Sequence, residues 1–296
     1  MSIQARIIKT VTRRTIKRNG LTEQQLVRHL RRAFNTPTVT LLPRGVSVSQ
    51  IDHPSFKGDH VSVSNPELTI LYIHGGAYIS GVTRTYHNLA GRMAKRLNAE
   101  AYLVQYPFAP EHPYPAAVNR VLEAYEYLLD QGKEPRNIVI AGDSAGGGLT
   151  LATLLHIRDR KLPQPRCAVT LSPGCSCFPE EDEIRALDPT DAMLSADMIR
   201  TVIDIYVPNQ EDRTHPYASP AFGDYTGVCP VMILASPEEV LYGDGLRARA
   251  ALEKAGVKVE WFERKGVFHV WPIMTPFLPE ANQDLKRIVS FIKQTR

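Results

Sequence analysis

Ser144 lies at the centre of Gly142-Asp143-Ser144-Ala145-Gly146, between the apolar run Ile138 to Ala141 and the helix-forming run Leu149 to Leu155. A serine at the corner where a strand turns sharply into a helix presents its hydroxyl for attack on a carbonyl. Such a turn closes only if the residues two before and two after it have no side chains to collide. Gly142 and Gly146 meet that need. The pentapeptide by itself also fits phosphate-binding loops and ordinary glycine turns; its place after a β-branched run and before a helix points to a nucleophile elbow.

A serine nucleophile needs a base, an acid behind the base, and donors for the oxyanion. In an open α/β sheet these groups gather at the carboxyl ends of the strands. His74-Gly75-Gly76-Ala77 follows the strand-like run Leu71-Tyr72-Ile73. Its glycines let the N–H groups of Gly75 and Gly76 approach an oxygen that becomes negative, and the N–H of Ala145 beside the nucleophile adds another. Beyond the apolar run Val231 to Ala235 come Glu238, Glu239 and Asp244. A carboxylate here can hold an imidazole in the required tautomer. Glu238 is nearest the strand end and is the first choice, with Glu239 and Asp244 as alternatives; Asp244 also suits a cap for the next helix. His269, in Gly266 to Pro272 after the last strand, completes the chain order serine, acid, histidine. Its main competitor, His112, stands in a proline-rich loop.

His74-Gly-Gly-Ala-Tyr78, the run Tyr106 to Val118, the elbow pentapeptide and Phe268-His-Val-Trp271 together resemble the hormone-sensitive-lipase-like (class IV) esterases of the α/β-hydrolase superfamily. The resemblance extends from Leu68 to the C-terminus. It implies Ser144, Glu238 and His269 as a triad, Gly75, Gly76 and Ala145 around the oxyanion hole, and a cap built from the N-terminal helices and a long insertion. The family's acid is more often Asp, and an Arg-Leu pair is usual where this chain has Pro107-Phe108. The implied activity is hydrolysis of short- to medium-chain carboxylic esters through an acyl-enzyme, with no cofactor and no metal. Tyr78, Phe108, Phe178 and Tyr206 are expected around the substrate. A lactone, amide or lipid hydrolase would use the same groups. A ligand-binding protein on an inactive scaffold, as in the plant gibberellin receptors that this fold resembles, would not need the serine, histidine and acids retained here. A homodimer is a family habit.

The elements that must position these residues are legible as a rhythm. Short apolar runs at Leu68–Ile73, Ala101–Gln105, Ile138–Ala141, Ala168–Leu171, Val231–Ala235 and Val257–Phe262 are mostly separated by helical segments. That alternation predicts a mostly parallel sheet covered on both faces. Residues 1–34 read as two helices broken at Asn19-Gly20, the second opened by Thr22 and Gln25 at capping-box spacing. Val46–Val48 and Val61–Val63 suggest a hairpin around Lys57-Gly58-Asp59. Between Leu171 and Val231 the chain spends far more residues than a crossover requires, which marks an insertion. The predicted division is an N-terminal helical cap segment (1–45), the first part of the core (46–176), inserted cap helices (177–218) and the rest of the core (219–296).

The composition, 43% hydrophobic and 22% charged in 296 residues, is that of an ordinary globular protein rather than a disordered one. The net charge of +4 is small and its basic residues scattered, so a nucleic-acid surface is not supported. The exception is Arg6, Lys9, Arg13, Arg14, Lys17 and Arg18, with no acidic residue before Glu23. An amphipathic helix packing Ile3, Ile7, Ile8 and Val11 on the core explains this segment better than an import presequence or a membrane-surface helix. No apolar run suits a membrane span, so no stable membrane insertion is expected and the cytoplasm is the default. Cys167, Cys175, Cys177 and Cys229 lack zinc or redox spacing and read as reduced thiols, the middle two near a pocket.

Overall fold

The computed structural model describes residues 1–35 and 39–295. Its eight strands are β1 (Ser47–His53), β2 (Phe56–Ser62), β3 (Leu68–Ile73), β4 (Ala99–Val104), β5 (Ile138–Asp143), β6 (Cys167–Leu171), β7 (Val231–Ala235) and β8 (Val259–Glu263). They form one sheet in the order β1-β2-β4-β3-β5-β6-β7-β8. β1 pairs antiparallel with β2 and β2 antiparallel with β4, whereas the pairs from β4 across to β8 are parallel. The expected α/β architecture is present.

Alternation along each strand divides the core in two. On β3, Leu71 and Ile73 join Val118, Leu122 and Leu149 on one face, while Ile70 and Tyr72 join Leu89, Met93 and Ile288 on the other. Parallel strands need crossovers, and the helices that supply them cover both faces, so central strands are apolar at successive positions. β4 and β5, each buried at all six residues, show this most fully.

Two groups of helices lie outside this pattern. α1 (Ile3–Thr15) and α2 (Glu23–Phe34) precede the sheet, and α2 opens with the predicted Thr22/Gln25 capping box. α3 (His87–Leu97), α4 (Ala116–Asp130) and α5 (Ala145–Asp159) are crossover helices; α6 (Glu181–Leu187) and α7 (Ala196–Tyr206) form the insertion between β6 and β7. α8 (Tyr242–Lys254) and α9 (Pro279–Gln294) complete the chain's helices among the described residues. Leu26 and Leu30 of α2 pack with Met198 and Ile205 of α7 and with Ile79 and Ala109 below them. Arg31 ties the same helix to the carbonyls of Ile79 and Ala109 and to Glu111. The N-terminal helix and the inserted one are thereby joined into a cover over the sheet's carboxyl edge.

Two local expectations are corrected. The hairpin turns at Pro54-Ser55, because His53 pairs with Phe56, and Lys57-Gly58-Asp59 lies within β2. Gly58 is required for a different reason: a Cβ there would stand 1.9 Å from the Leu103 carbonyl oxygen of the neighbouring β4. The second correction concerns α1. It packs inward through Ala5 and Thr12 and, as expected, through Ile8, while Ile3, Ile7 and Val11 face outward.

Leu26 is 1% exposed between α2 and α7. Leu26→Ala should therefore lower stability to denaturant by about 2–5 kcal/mol, measured as a fall in the unfolding midpoint, because the cavity cannot close without shifting both helices.

Candidate active site

β5 ends at Asp143 and α5 starts at Ala145, so Ser144 makes the whole turn, at φ 53° and ψ −121°. A non-glycine residue there is strained, and the packing around it holds the strain. A Cβ on Gly142 would lie 2.3 Å from the Gly146 carbonyl oxygen, and one on Gly146 2.0 Å from that of Ile73. The Ser144 N–H donates to the Leu171 carbonyl on β6 (2.8 Å), which fixes the corner to the next strand.

His269 reaches this corner from the loop after β8, its Nε2 2.8 Å from Ser144 Oγ. The carboxylate behind it belongs to Glu239, with Oε2 2.6 Å from His269 Nδ1. Its other oxygen accepts from the Ser236 N–H (2.6 Å) and from the Ser172 hydroxyl (2.9 Å). Ser172 Oγ in turn accepts from the Val270 N–H, one residue past the histidine. The expectation for Glu238 is thus corrected. After Ala235 the chain makes a turn closed by the Glu239 N–H on the Ser236 carbonyl, which carries residue 239 back under the sheet edge. Glu238 points the other way, to Lys9 of α1 (2.5 Å) and the Gly266 N–H (2.6 Å). Asp244 is also elsewhere: it accepts from the Cys175 and Ser176 N–H groups and pairs with Arg247. His112 is exposed on its loop.

The glycine loop is shifted by one residue from expectation. The Gly75 N–H is already engaged, with Asp143 Oδ1 and Tyr86 Oη each at 3.0 Å. Gly76, Ala77 and Ala145 all line the cavity at Ser144, and their N–H groups have no acceptor among the described residues. Ala77 and Tyr78 take φ of 58° and 59°, and the loop closes on itself where the Ile79 and Ser80 N–H groups donate to the Gly76 carbonyl (3.1 and 3.0 Å).

The profile of the α/β-hydrolase fold matches residues 70–273, more than half of the chain. An acetyl-hydrolase of Streptomyces hygroscopicus is 36% identical over 225 residues, 76% of this chain and 75% of its own. An esterase of Acinetobacter venetianus is 33% identical over 75% of this chain and 73% of its own. Among solved structures, EstE5 soaked with p-nitrophenyl butyrate superposes with a TM-score of 0.89 at 30% identity, covering 100% of this chain and 99% of that one. A hormone-sensitive lipase from a metagenome library gives 0.86 at 30% identity, over 97% and 95%. The chain belongs to the α/β-hydrolase family, in its hormone-sensitive-lipase-like branch.

In this hydrolase the cavity above Ser144, of about 120 Å³, is walled mainly by apolar side chains of α2, α7 and the glycine loop, Leu30, Met198 and Val202 among them. Of the four aromatics expected there, Tyr78 and Tyr206 line it, stacked with ring centroids 3.7 Å apart. Phe108 instead packs edge-on against His74 beneath the loop, and Phe178 is 44% exposed against Phe222. Cys177 lines the cavity, and burial raises its thiol pKa, so it behaves as a small apolar group.

Several supporting residues escaped the sequence. Asp143 accepts from Tyr72 Oη and Tyr86 Oη (3.1 Å each) as well as from Gly75, so the elbow and the glycine loop share one buried carboxylate. Burial pushes its pKa up to about 6 against those three donors. Its position inside the pentapeptide was the available signal. Ser172 and Asp191 gave none: Asp191, buried, accepts from the Met193, Leu194 and Val240 N–H groups and so braces the segment next to Glu239. His74 is held by burial at a pKa of about 4 and is neutral, with Nδ1 bound to the Gly75 carbonyl.

His269 is buried, which disfavours its charged form, but the hydrogen bond and charge of Glu239, with the charges of Asp191 and Asp143, outweigh burial and raise its pKa. Titration of the imidazole by NMR should therefore give a midpoint above the ordinary value of 6.5. Glu239→Gln should bring it down, since burial then dominates, and Glu238→Gln should leave it in place.

Proposed function

We propose that this chain is a serine carboxylesterase for short- to medium-chain esters, working by acyl transfer through Ser144. One observation carries the reading: Ser144, His269 and Glu239 are linked at 2.8 and 2.6 Å beside a cavity also lined by Gly76, Ala77 and Ala145, whose N–H groups have no acceptor among the described residues. The names of the relatives support ester substrates.

The chemistry follows from the arrangement. Neutral His269 takes the Ser144 proton on Nε2 as Oγ attacks the ester carbonyl, and Glu239 stabilises the imidazolium that forms. The negative oxygen is received by the N–H groups of Gly76, Ala77 and Ala145, whose positions are set before substrate arrives. As the carbonyl re-forms, the proton on His269 passes to the departing alkoxide, which leaves as an alcohol and gives the acyl-enzyme. Water, deprotonated by His269, then attacks the acyl carbonyl and restores the serine. None of these steps calls for a metal or cofactor. The small cavity and its apolar walls favour a short acyl group. No helix among the described residues is long and apolar enough to cross a membrane. Four buried, unpaired cysteines support a reducing compartment such as the cytoplasm.

Ser144→Ala should abolish turnover of a short p-nitrophenyl ester and labelling by a fluorophosphonate probe; retention of full activity would overturn the reading. Glu239→Gln should lower kcat by roughly 10³–10⁴, whereas Glu238→Gln should change it only a few-fold. The base must be neutral to act. Because its pKa is raised, kcat/KM should fall on the acid side with a midpoint above pH 6.5, and rise to a plateau at higher pH.

A further inference from the structure

The outer face of α1 is unexplained by the fold. Ile3, Ile7 and Val11 recur every four residues along one side of the helix, exposed by 73%, 58% and 52%, and Met1 before them is 60% exposed. Turns of an α-helix align such positions into a stripe. Arg6 and Arg14 flank the stripe on the same side, exposed and without an acidic partner among the described residues. Exposed apolar residues scattered singly need no explanation, but a continuous stripe rimmed by cations does.

The helix cannot roll to hide this face. Its inner side is fixed by Ala5 and Thr12 in the packing and by Ser2 bound to Glu280 (2.6 and 2.9 Å). Lys9 is bound to Glu238, and Arg13 to the carbonyls of Pro189, Thr190 and Asp191. Lys17 pairs with the Asp188 carboxylate (2.8 Å) and the Asp191 carbonyl (3.0 Å). The segment's basic residues are thus divided: Lys9, Arg13 and Lys17 hold the helix to the protein, Arg18 past its end donates to the Lys17 carbonyl (2.7 Å), and Arg6 and Arg14 remain for something outside.

We propose that α1 docks this hydrolase on a bilayer surface carrying anionic lipids, with Ile3, Ile7 and Val11 in the headgroup boundary and Arg6 and Arg14 on lipid phosphates. A short surface helix with an apolar side and basic flanks binds membranes by these two terms together. A second copy of the chain fits the face less well, because pairing α1 with itself brings its unneutralised arginines towards one another with no acidic residue on the helix to offset them. Binding is peripheral and reversible, since one short helix buries too little to anchor the protein permanently. The inference does not depend on the esterase reading.

The test is co-sedimentation of the full chain with phosphatidylcholine vesicles containing about one-third phosphatidylserine, against pure phosphatidylcholine. Expected is binding to the anionic vesicles that weakens as salt rises, and at least roughly ten-fold weaker binding to the neutral ones. Arg6→Glu with Arg14→Glu should weaken binding by about 30-fold or more. Ile3→Ser with Ile7→Ser and Val11→Ser should weaken it comparably. Both variants should keep full hydrolysis of a soluble p-nitrophenyl ester, which shows that they fold. No binding to anionic vesicles overturns the proposal, as does equal binding by the variants. Light scattering that shows a dimer dissolved by the same substitutions, without vesicle binding, would reassign the face to a second copy.

Discussion

Everything at the active centre depends on how closely β5 and α5 approach at Ser144. Gly146 lies so near the Ile73 carbonyl that no side chain fits, and the strained backbone of the serine is the consequence. The strain is held by a hydrogen bond to β6 and by Asp143 beneath the turn, which also binds the Gly75 N–H. The nucleophile and the donor loop are therefore parts of one unit. Because Gly75 is spent on this link, the N–H groups left to meet an oxyanion are those after it.

The histidine and its acid depend on a second unit at the neighbouring strand ends. Ser172 follows β6 and touches both sides of the pair, donating to Glu239 and accepting from the residue after His269. Asp191, from the insertion, braces the backbone beside Glu239, and Lys9 from α1 holds Glu238 away from it. Cover and core are thus coupled through hydrogen bonds as well as through the apolar packing of α2 and α7 on Ile79 and Ala109. The buried carboxylates around His269 raise its proton affinity, so the geometry that orients the base also sets the pH at which it works.

The cover supplies much of the cavity wall above the serine. Tyr78 from the glycine loop and Tyr206 from α7 meet ring on ring across the boundary between core and insertion. Apolar residues of α2 and α7 enclose the rest of a cavity of about 120 Å³. α1 takes no part in that wall, and its outward side remains free for contacts of another kind.

Local spacing was enough to read the elbow with its two glycines, the strand rhythm, the capping box of α2, the order serine, acid, histidine, and the insertion before β7. These depend on chain neighbours, whose spacing is visible in the letters. The choice between Glu238 and Glu239 was settled only by the tertiary structure, because adjacent residues on a turn point in opposite directions and the partner that captures Glu238 is more than two hundred residues away. The engagement of Gly75 by Asp143 and Tyr86, the distance of Phe108 and Phe178 from the cavity, and the outward turn of Ile3, Ile7 and Val11 are of the same kind. Each turns on which surface a side chain or N–H meets across the fold, and periodicity along the chain records that a face exists without saying what lies against it.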